Sequence, residues 1–167
     1  MRDYVLLLPI IFIFHDMEEI IGFGWFFKNN PEIFEKYPKI TKVYESFTTA
    51  GMALAVYEEF IPFFGISLLA YYFGNEVLYT LWFGLLISLT AHFIVHIVQS
   101  IYIRKYIPSL ITSVVCLPIS VIILINSSKY MVKSLSTVLI IAGSILLMIA
   151  NLRCAHWLMN KFGNRLG

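Results

Sequence analysis

The sequence predicts an all-α protein: a polytopic bundle of about five transmembrane helices, with a short interfacial helix after the first span. Two observations support this fold class. First, 59% of the 167 residues are hydrophobic and only 13% are charged, whereas soluble domains are about half apolar and a quarter charged. Second, the apolar residues fall in long stretches, each of the roughly 20 residues that a membrane-spanning helix needs.

Five apolar stretches are predicted to span the membrane, near residues 4–27, 46–73, 77–103, 108–126 and 134–159. The first stretch resembles a signal peptide in composition, but it lacks a small-residue cleavage site and is expected to be retained. Because no separate soluble domain fits between the spans, residues 1–167 are expected to form a single integral membrane domain. Two cysteines in apolar surroundings indicate no disulfide framework.

Charged and turn-forming residues separate these stretches. Residues 28–45 are rich in charge, and Pro31 is typical of a first helical position with Asn30 as its cap, which predicts the interfacial helix. Residues 74–76 and 126–129 predict tight turns.

The distribution of lysine and arginine predicts the orientation. Eight basic residues, among them Lys39 and Lys105, fall on one side of the predicted bundle and three on the other. The positive-inside rule places the larger group and the C-terminus in the cytoplasm, and the N-terminus outside. Since the basic residues are scattered over several loops, no nucleic-acid partner is expected, and the expected partner is the lipid bilayer. The sequence leaves the oligomeric state open, including a homo-oligomer.

Ionisable side chains lie inside three of the predicted spans, where they are costly in hydrocarbon and are commonly functional. They include His15, Glu18, Glu19, Glu58, Glu59, His92 and His96. With a rise of 1.5 Å per residue, these groups lie roughly 12–20 Å below the cytoplasmic boundary, so the helices are expected to bring them to one layer. Asn151 of the fifth span falls in the same layer.

Helical spacing predicts which of these side chains share a face. On the first span, His15, Glu18 and Glu19 lie side by side, while Asp16 points about 100° away.

On the other two spans, the pattern of neighbouring residues indicates the inward face. His92 and His96 belong to a polar stripe that is expected to face the bundle interior. On the second span, small residues flank Glu58, so Glu58 is expected to point inward, with Glu59 as the second choice.

Imidazole and carboxylate groups on facing helices are the ingredients of metal sites in helix bundles. The predicted ligands are His15, Glu18, Glu58, His92 and His96, and the predicted catalytic residues are Glu19 and Glu58. This combination suits a divalent zinc, iron or manganese ion, with zinc or iron expected. The alternative reading is structural, because buried histidines and glutamates also brace a bundle by bonding to one another.

Three further residues are secondary candidates or substrate ligands. Arg104 and Pro108 form an RxxxP pattern, interpreted either as a positive-inside charge before a helix start or as an anion clamp in which Arg104 binds the substrate. Arg153 is expected to pair with an interior carboxylate or to extend toward the membrane surface. His156, beside Trp157, is typical of a membrane-edge anchor, and a role in the site is its second interpretation.

The segment 15–19, His-Asp-Met-Glu-Glu, resembles the motif of the HXXEE family of small bacterial integral membrane proteins. The HxxxH pair at His92 and His96 and the RxxxP pattern at Arg104 and Pro108 are also similar to features of that family. The resemblance implies a small polytopic protein of the bacterial inner membrane with an enzymatic role, and it leaves the reaction open.

The first functional hypothesis is a membrane-embedded, metal-dependent hydrolase of a lipid or lipid-linked substrate, with Glu19 or Glu58 as general base. A di-iron oxygenase is a weaker version, because such membrane enzymes use more histidines than the three at this depth. A third version is a metal-free glutamate hydrolase that resembles CAAX-type proteases. It is disfavoured because the sequence lacks the arginine expected after Glu18-Glu19. The alternative from another class is a proton- or cation-coupled transporter that uses the same residues.

Overall fold

In the computed structural model, which describes residues 1–166, the chain is almost entirely helical, and the predicted all-α class is confirmed. The helices are α1 (Arg2–Val5), α2 (Leu7–Asn29), α3 (Glu32–Lys36), α4 (Pro38–Thr41), α5 (Thr49–Phe73), α6 (Glu76–Ile103), α7 (Leu110–Ser128) and α8 (Leu135–Leu166). The long helices match the predicted spans within a few residues, except that α8 continues past the predicted end at residue 159.

The helices α5, α6, α7 and α8 are long and apolar enough to cross a membrane, which indicates an integral membrane protein. The first predicted span, α2, has sufficient length at 23 residues but is not among these four. It differs from them because it carries Asp16, Glu18 and Glu19. Since α2 packs against α5 and α7, its carboxylates have protein neighbours that can satisfy them.

The connection between α2 and α5 differs in detail from the predicted single interfacial helix. It contains α3, α4 and a 3-10 turn at Lys42–Tyr44. Pro31 occupies the N-cap of α3 rather than its first turn, and the Asn30 side chain bonds to the carbonyl oxygen of Phe26 instead of capping. Pro38 divides the segment, because the residue before a proline is disfavoured in helical conformation.

The turn predicted at residues 74–76 is confirmed. Gly74 ends α5 with a φ of +54°, a left-handed conformation that favours glycine. Asn75 begins α6, and its side-chain oxygen accepts a hydrogen bond of 2.9 Å from the N–H of Leu78. The turn predicted at 126–129 begins later, because α7 continues to Ser128.

Two close contacts hold α8 against its neighbours. A methyl group at Gly84 of α6 would lie 2.6 Å from Cβ of Ser144, and one at Gly51 of α5 would lie 2.8 Å from the carbonyl oxygen of Met159. Such contacts through small residues are common between membrane helices. Ser144 and Met159 are roughly 22 Å apart along α8, and the cavities described below lie between these contacts.

Substitution of Gly84 by alanine tests the contact with Ser144. Gly84→Ala is expected to lower the free energy of unfolding by about 1–3 kcal/mol, the usual cost of overpacking. The measurement is the midpoint of thermal unfolding in detergent. Gly143→Ala is the matched control, since a methyl group there meets no atom within 4 Å, and it is expected to keep the wild-type midpoint. Equal midpoints for the two variants would contradict the contact.

Candidate metal centre

Two helices bring three imidazoles and one carboxylate together inside the bundle. His15 and Glu19 lie one turn apart on α2, and His92 and His96 lie one turn apart on α6. Each offers one ligand atom, and these atoms all lie within 4.8 Å of one another. We call these four residues the His/Glu cluster.

The separations within the His/Glu cluster suit a small cation. Nε2 of His96 lies 2.9 Å from Oε1 of Glu19 and 2.7 Å from Nε2 of His92. Nε2 of His15 lies 3.9 Å from the same Glu19 oxygen. Ligand atoms around a tetrahedral zinc ion, at bonds of about 2.0–2.1 Å, are roughly 3.3 Å apart. The observed distances lie on both sides of that value.

Glu18 lies outside the His/Glu cluster, contrary to its predicted role as a metal ligand. Its carboxylate accepts hydrogen bonds from the hydroxyl of Tyr106 (2.6 Å), the N–H groups of Ile111 (3.3 Å) and Thr112 (2.7 Å), and the hydroxyl of Thr112 (2.6 Å). Ile111 and Thr112 belong to the first turn of α7, whose N–H groups have no partner within their own helix. Glu18 therefore extends from α2 to cap the N-terminus of α7, and Glu19 is the glutamate of the pair that belongs to the cluster.

The Thr112 hydroxyl connects Glu18 to His15. It donates to Oε2 of Glu18 at 2.6 Å, a closer and charged acceptor than the carbonyl oxygen of Ser109 at 3.4 Å. Nδ1 of His15 lies 3.0 Å from the same hydroxyl. Because the hydroxyl hydrogen is used by Glu18, Nδ1 of His15 is the donor in this contact. In a neutral His15, Nε2 is then unprotonated, and its lone pair is free to bind a cation at the cluster.

Tyr106, in the connection between α6 and α7, completes the environment of Glu18. Burial, the hydrogen bond to Glu18 and the charge of Glu18 raise the pKa of Tyr106 to about 12. The phenol thus keeps its proton at neutral pH and remains a donor to Glu18.

On α5 the structure places Glu59 in the interior, which corrects the expectation for Glu58. Glu59 is 9% exposed, whereas Glu58 is half-buried and accepts a hydrogen bond of 2.7 Å from the Asn151 amide of α8. Gly51, one of the small residues on the same face of α5 as Glu58, packs on Met159 of α8. This small residue thus indicates a helix contact and not the direction in which Glu58 points.

A cavity of about 340 Å³ opens beside the His/Glu cluster, and we call it the polar cavity. Its walls include Asp16, Glu19, Tyr44, Glu59, His92, His96, Gln99 and His156. Asp16 was expected to point away from the site, yet it is only 3% exposed and lines this cavity. Asp16 lies three residues before Glu19, so the two carboxylates are neighbours on one face of α2. The signal that could have found Asp16 is its charge within an apolar helix, where such residues rarely face lipid.

Tyr44 and His156 lie together in the polar cavity, with ring centroids 6.0 Å apart. This position agrees with the second interpretation of His156, a role in the site. Burial raises the pKa of Tyr44, and the negative charges of Glu19, Glu59 and Asp16 raise it further. Tyr44 is therefore a neutral hydrogen-bond donor at the wall of an acidic cavity.

The two predicted arginines are not brought into the polar cavity. Arg104 is exposed at the end of α6, with a left-handed φ of +57°. Its neighbour Lys105 contacts Glu32 at 2.5 Å and Asn30 at 2.6 Å. Arg153 is exposed on α8, which fits extension toward the membrane surface better than pairing with an interior carboxylate.

Fold and site together define a class: a helical integral membrane protein with a buried histidine and carboxylate cluster. Within that class the chain belongs to the HXXEE family, because the family profile described as "Protein of unknown function with HXXEE motif" matches residues 6–123, more than half of the chain. The resemblance seen in the sequence is thereby confirmed. The His/Glu cluster lies within the matched segment, whereas α8 lies beyond it. No curated protein and no solved structure matches the chain.

The link from Glu18 through Thr112 to His15 predicts the protonation of one ring nitrogen. In the wild type, ¹⁵N NMR of labelled histidine is expected to show His15 protonated at Nδ1, with its signal assigned by His15→Gln. Thr112→Val removes the hydroxyl and is expected to give a mixture of both tautomers. Thr90→Val is the control, since the Thr90 hydroxyl bonds only within its own helix, to Leu86. An Nε2-protonated His15 in the wild type would contradict the assignment.

Proposed function

We propose that this protein is a membrane-embedded, metal-dependent enzyme that hydrolyses a lipid or lipid-linked substrate. The observation that supports the proposal is the convergence of three imidazoles and the Glu19 carboxylate in one buried cluster beside a cavity. Intramembrane ionisable groups are costly and mark functional sites. The four ligand atoms of this cluster lie within 4.8 Å of one another, which distinguishes them from polar residues scattered through a bundle.

The His/Glu cluster provides three nitrogen ligands and one oxygen ligand, a set that suits zinc or iron. Such an ion lowers the pKa of a bound water and polarises the bond to be broken. His15, His92 and His96 would hold the ion, with Glu19 as the fourth protein ligand, and the hydrolytic role requires one further position on the ion for water. Thr112 would orient His15 without contacting the ion itself. Loss of such an indirect partner typically lowers metal affinity by about 10–100-fold.

Glu59 takes the place of the expected Glu19 and Glu58 as the proposed general base, because Glu19 belongs to the His/Glu cluster and Glu58 bonds to Asn151. It lies at the wall of the polar cavity with His92, and its Oε1 is buried without a hydrogen-bond partner among residues 1–166. In the proposed reaction the oxygen of water bonds to the electrophilic centre of the substrate, and the bond to the leaving oxygen breaks. Glu59 takes the proton from the water and passes it to the leaving oxygen. Tyr44 is placed to donate a hydrogen bond to developing negative charge.

Transport of protons or cations is the alternative function for the same residues. A relay would need polar groups on both sides of the His/Glu cluster. The second cavity at the cluster, of about 290 Å³, is instead lined by apolar side chains such as Phe63, Leu89 and Met148. This lining favours an apolar substrate over an ion.

We further propose that residues 1–167 form one domain in the bacterial inner membrane, with the C-terminus in the cytoplasm. The pairing of Lys105 with Glu32 supports this arrangement, because it places two basic connections at the same end of the bundle. The positive-inside rule assigns that end to the cytoplasm.

Metal analysis tests the proposed centre directly. Detergent-purified protein, dialysed against zinc or ferrous iron, is expected to hold about one ion per chain. His15→Ala, His96→Ala and Glu19→Gln are expected to lose it, because each removes a ligand. Glu58→Gln is the matched control and is expected to retain the ion, since Glu58 bonds to Asn151 outside the cluster. A wild type that binds neither ion, or ligand variants that bind as well as the control, would refute the metal centre.

A second variant separates catalysis from metal binding. Glu59→Gln is expected to keep the ion and to lower the rate by about 10²–10⁴-fold, the usual contribution of a general base. The measurement compares lipid extracts of cells that express wild type or Glu59→Gln by mass spectrometry. A lipid consumed only in the wild-type cells is the expected result. Identical lipid profiles from the two strains would count against hydrolysis at this site.

A further inference from the structure

We infer that the apolar cavity at the His/Glu cluster holds a hydrocarbon chain of the substrate, so that the substrate is an amphiphile with a hydrocarbon tail. This inference rests on the proposed function and specifies its substrate class. The apolar cavity, of about 290 Å³, is lined mainly by aliphatic and aromatic side chains, including Phe12, Phe63, Leu89, Ile145 and Met148. It shares Glu59 and His92 with the polar cavity. The two spaces therefore meet at the edge of the cluster.

The contrast between the two cavities defines the ligand that fits both. Acidic and imidazole groups line the polar cavity, among them Asp16 and His96. A molecule that fills both cavities has a polar group at the cluster and a chain in the apolar cavity. Because lipid tails are as apolar as the aliphatic side chains of a membrane helix, a chain moves from the bilayer into this cavity without loss of apolar contact.

The apolar cavity has an opening toward lipid between α6 and α8. Val95 of α6 and Ile149 of α8 line the cavity and are 48% and 45% exposed, respectively. The same two helices touch at Gly84 and Ser144, one turn before the cavity begins at Ser88. This contact closes one end of the cavity, so a chain enters from the side.

The order of the cavities along α6 matches the orientation of a membrane lipid. The apolar cavity extends from Ser88 to Val95, nearer the middle of the helix, and the polar cavity extends from His92 to Gln99, nearer its end at Ile103. The polar cavity also reaches Lys39 of the connection between α2 and α5. An amphiphile thus keeps its chain toward the bilayer centre and its polar group toward the surface.

Two hydroxamic acids test the inference, because both bind a metal ion through the same group and differ in chain length. The probes are acetohydroxamic acid and dodecanohydroxamic acid, titrated into the cobalt-loaded protein in one detergent, with the visible spectrum of the metal as readout. The long chain is expected to bind at least 10-fold more tightly. Met148→Trp fills the apolar cavity and is expected to remove most of this preference while leaving acetohydroxamic acid binding unchanged. Ile145→Phe, a smaller change in the same cavity, is expected to act in the same direction.

The control is Leu147→Trp, which adds the same ring at a neighbouring, lipid-facing position of α8 that is 47% exposed. It is expected to keep the wild-type chain preference, and comparison in the same detergent cancels partitioning of the probe into micelles. An unchanged preference in both cavity variants overturns the inference and leaves the metal centre intact. Failure of both hydroxamic acids to bind cobalt-loaded protein overturns the proposed function instead.

Discussion

The burial of the Glu19 carboxylate among three imidazoles is the interaction on which the rest of the structure depends. A carboxylate within an apolar bundle is costly unless positive charge or hydrogen-bond donors compensate it. His92 and His96 have Nε2 atoms 2.7 Å apart, so they require either a shared proton or a cation between them. Nε2 of His15 has no hydrogen-bond partner in the part of the chain that the structure describes. One divalent ion would satisfy all of these atoms together.

The two adjacent glutamates of the motif have separate structural roles. Glu19 faces α6 and belongs to the cluster, whereas Glu18 satisfies the N-terminal N–H groups of α7. Thr112 joins these roles, since it bonds both to Glu18 and to His15. Each named position of the motif thus has a physical reason: His15 and Glu19 as members of the His/Glu cluster, and Glu18 as the residue that caps α7 and, through Thr112, fixes the orientation of His15.

Sequence reasoning predicted the helices and the layer of polar residues, because apolar length determines a span and residue count determines depth. It failed where adjacent residues had to be distinguished. Glu18 and Glu19 lie at almost the same depth, as do Glu58 and Glu59, and only helix packing decides which one points inward. Gly51, on the same face of α5 as Glu58, contacts α8, and the first turn of α7 donates hydrogen bonds to Glu18. Neither neighbour is recognisable from periodicity within one helix.

The division of the site between helices has a consequence for specificity. The His/Glu cluster comes from α2 and α6, inside the segment that matches the family, while one wall of each cavity comes from α8, beyond that segment. The contacts at Gly84 and Gly51 hold α8 at two points and leave space between them. In the proposed function, the chemistry therefore resides in the matched segment and the shape of the chain-binding cavity depends on α8. Changes in α8 can then alter which chain fits without disturbing the ligands.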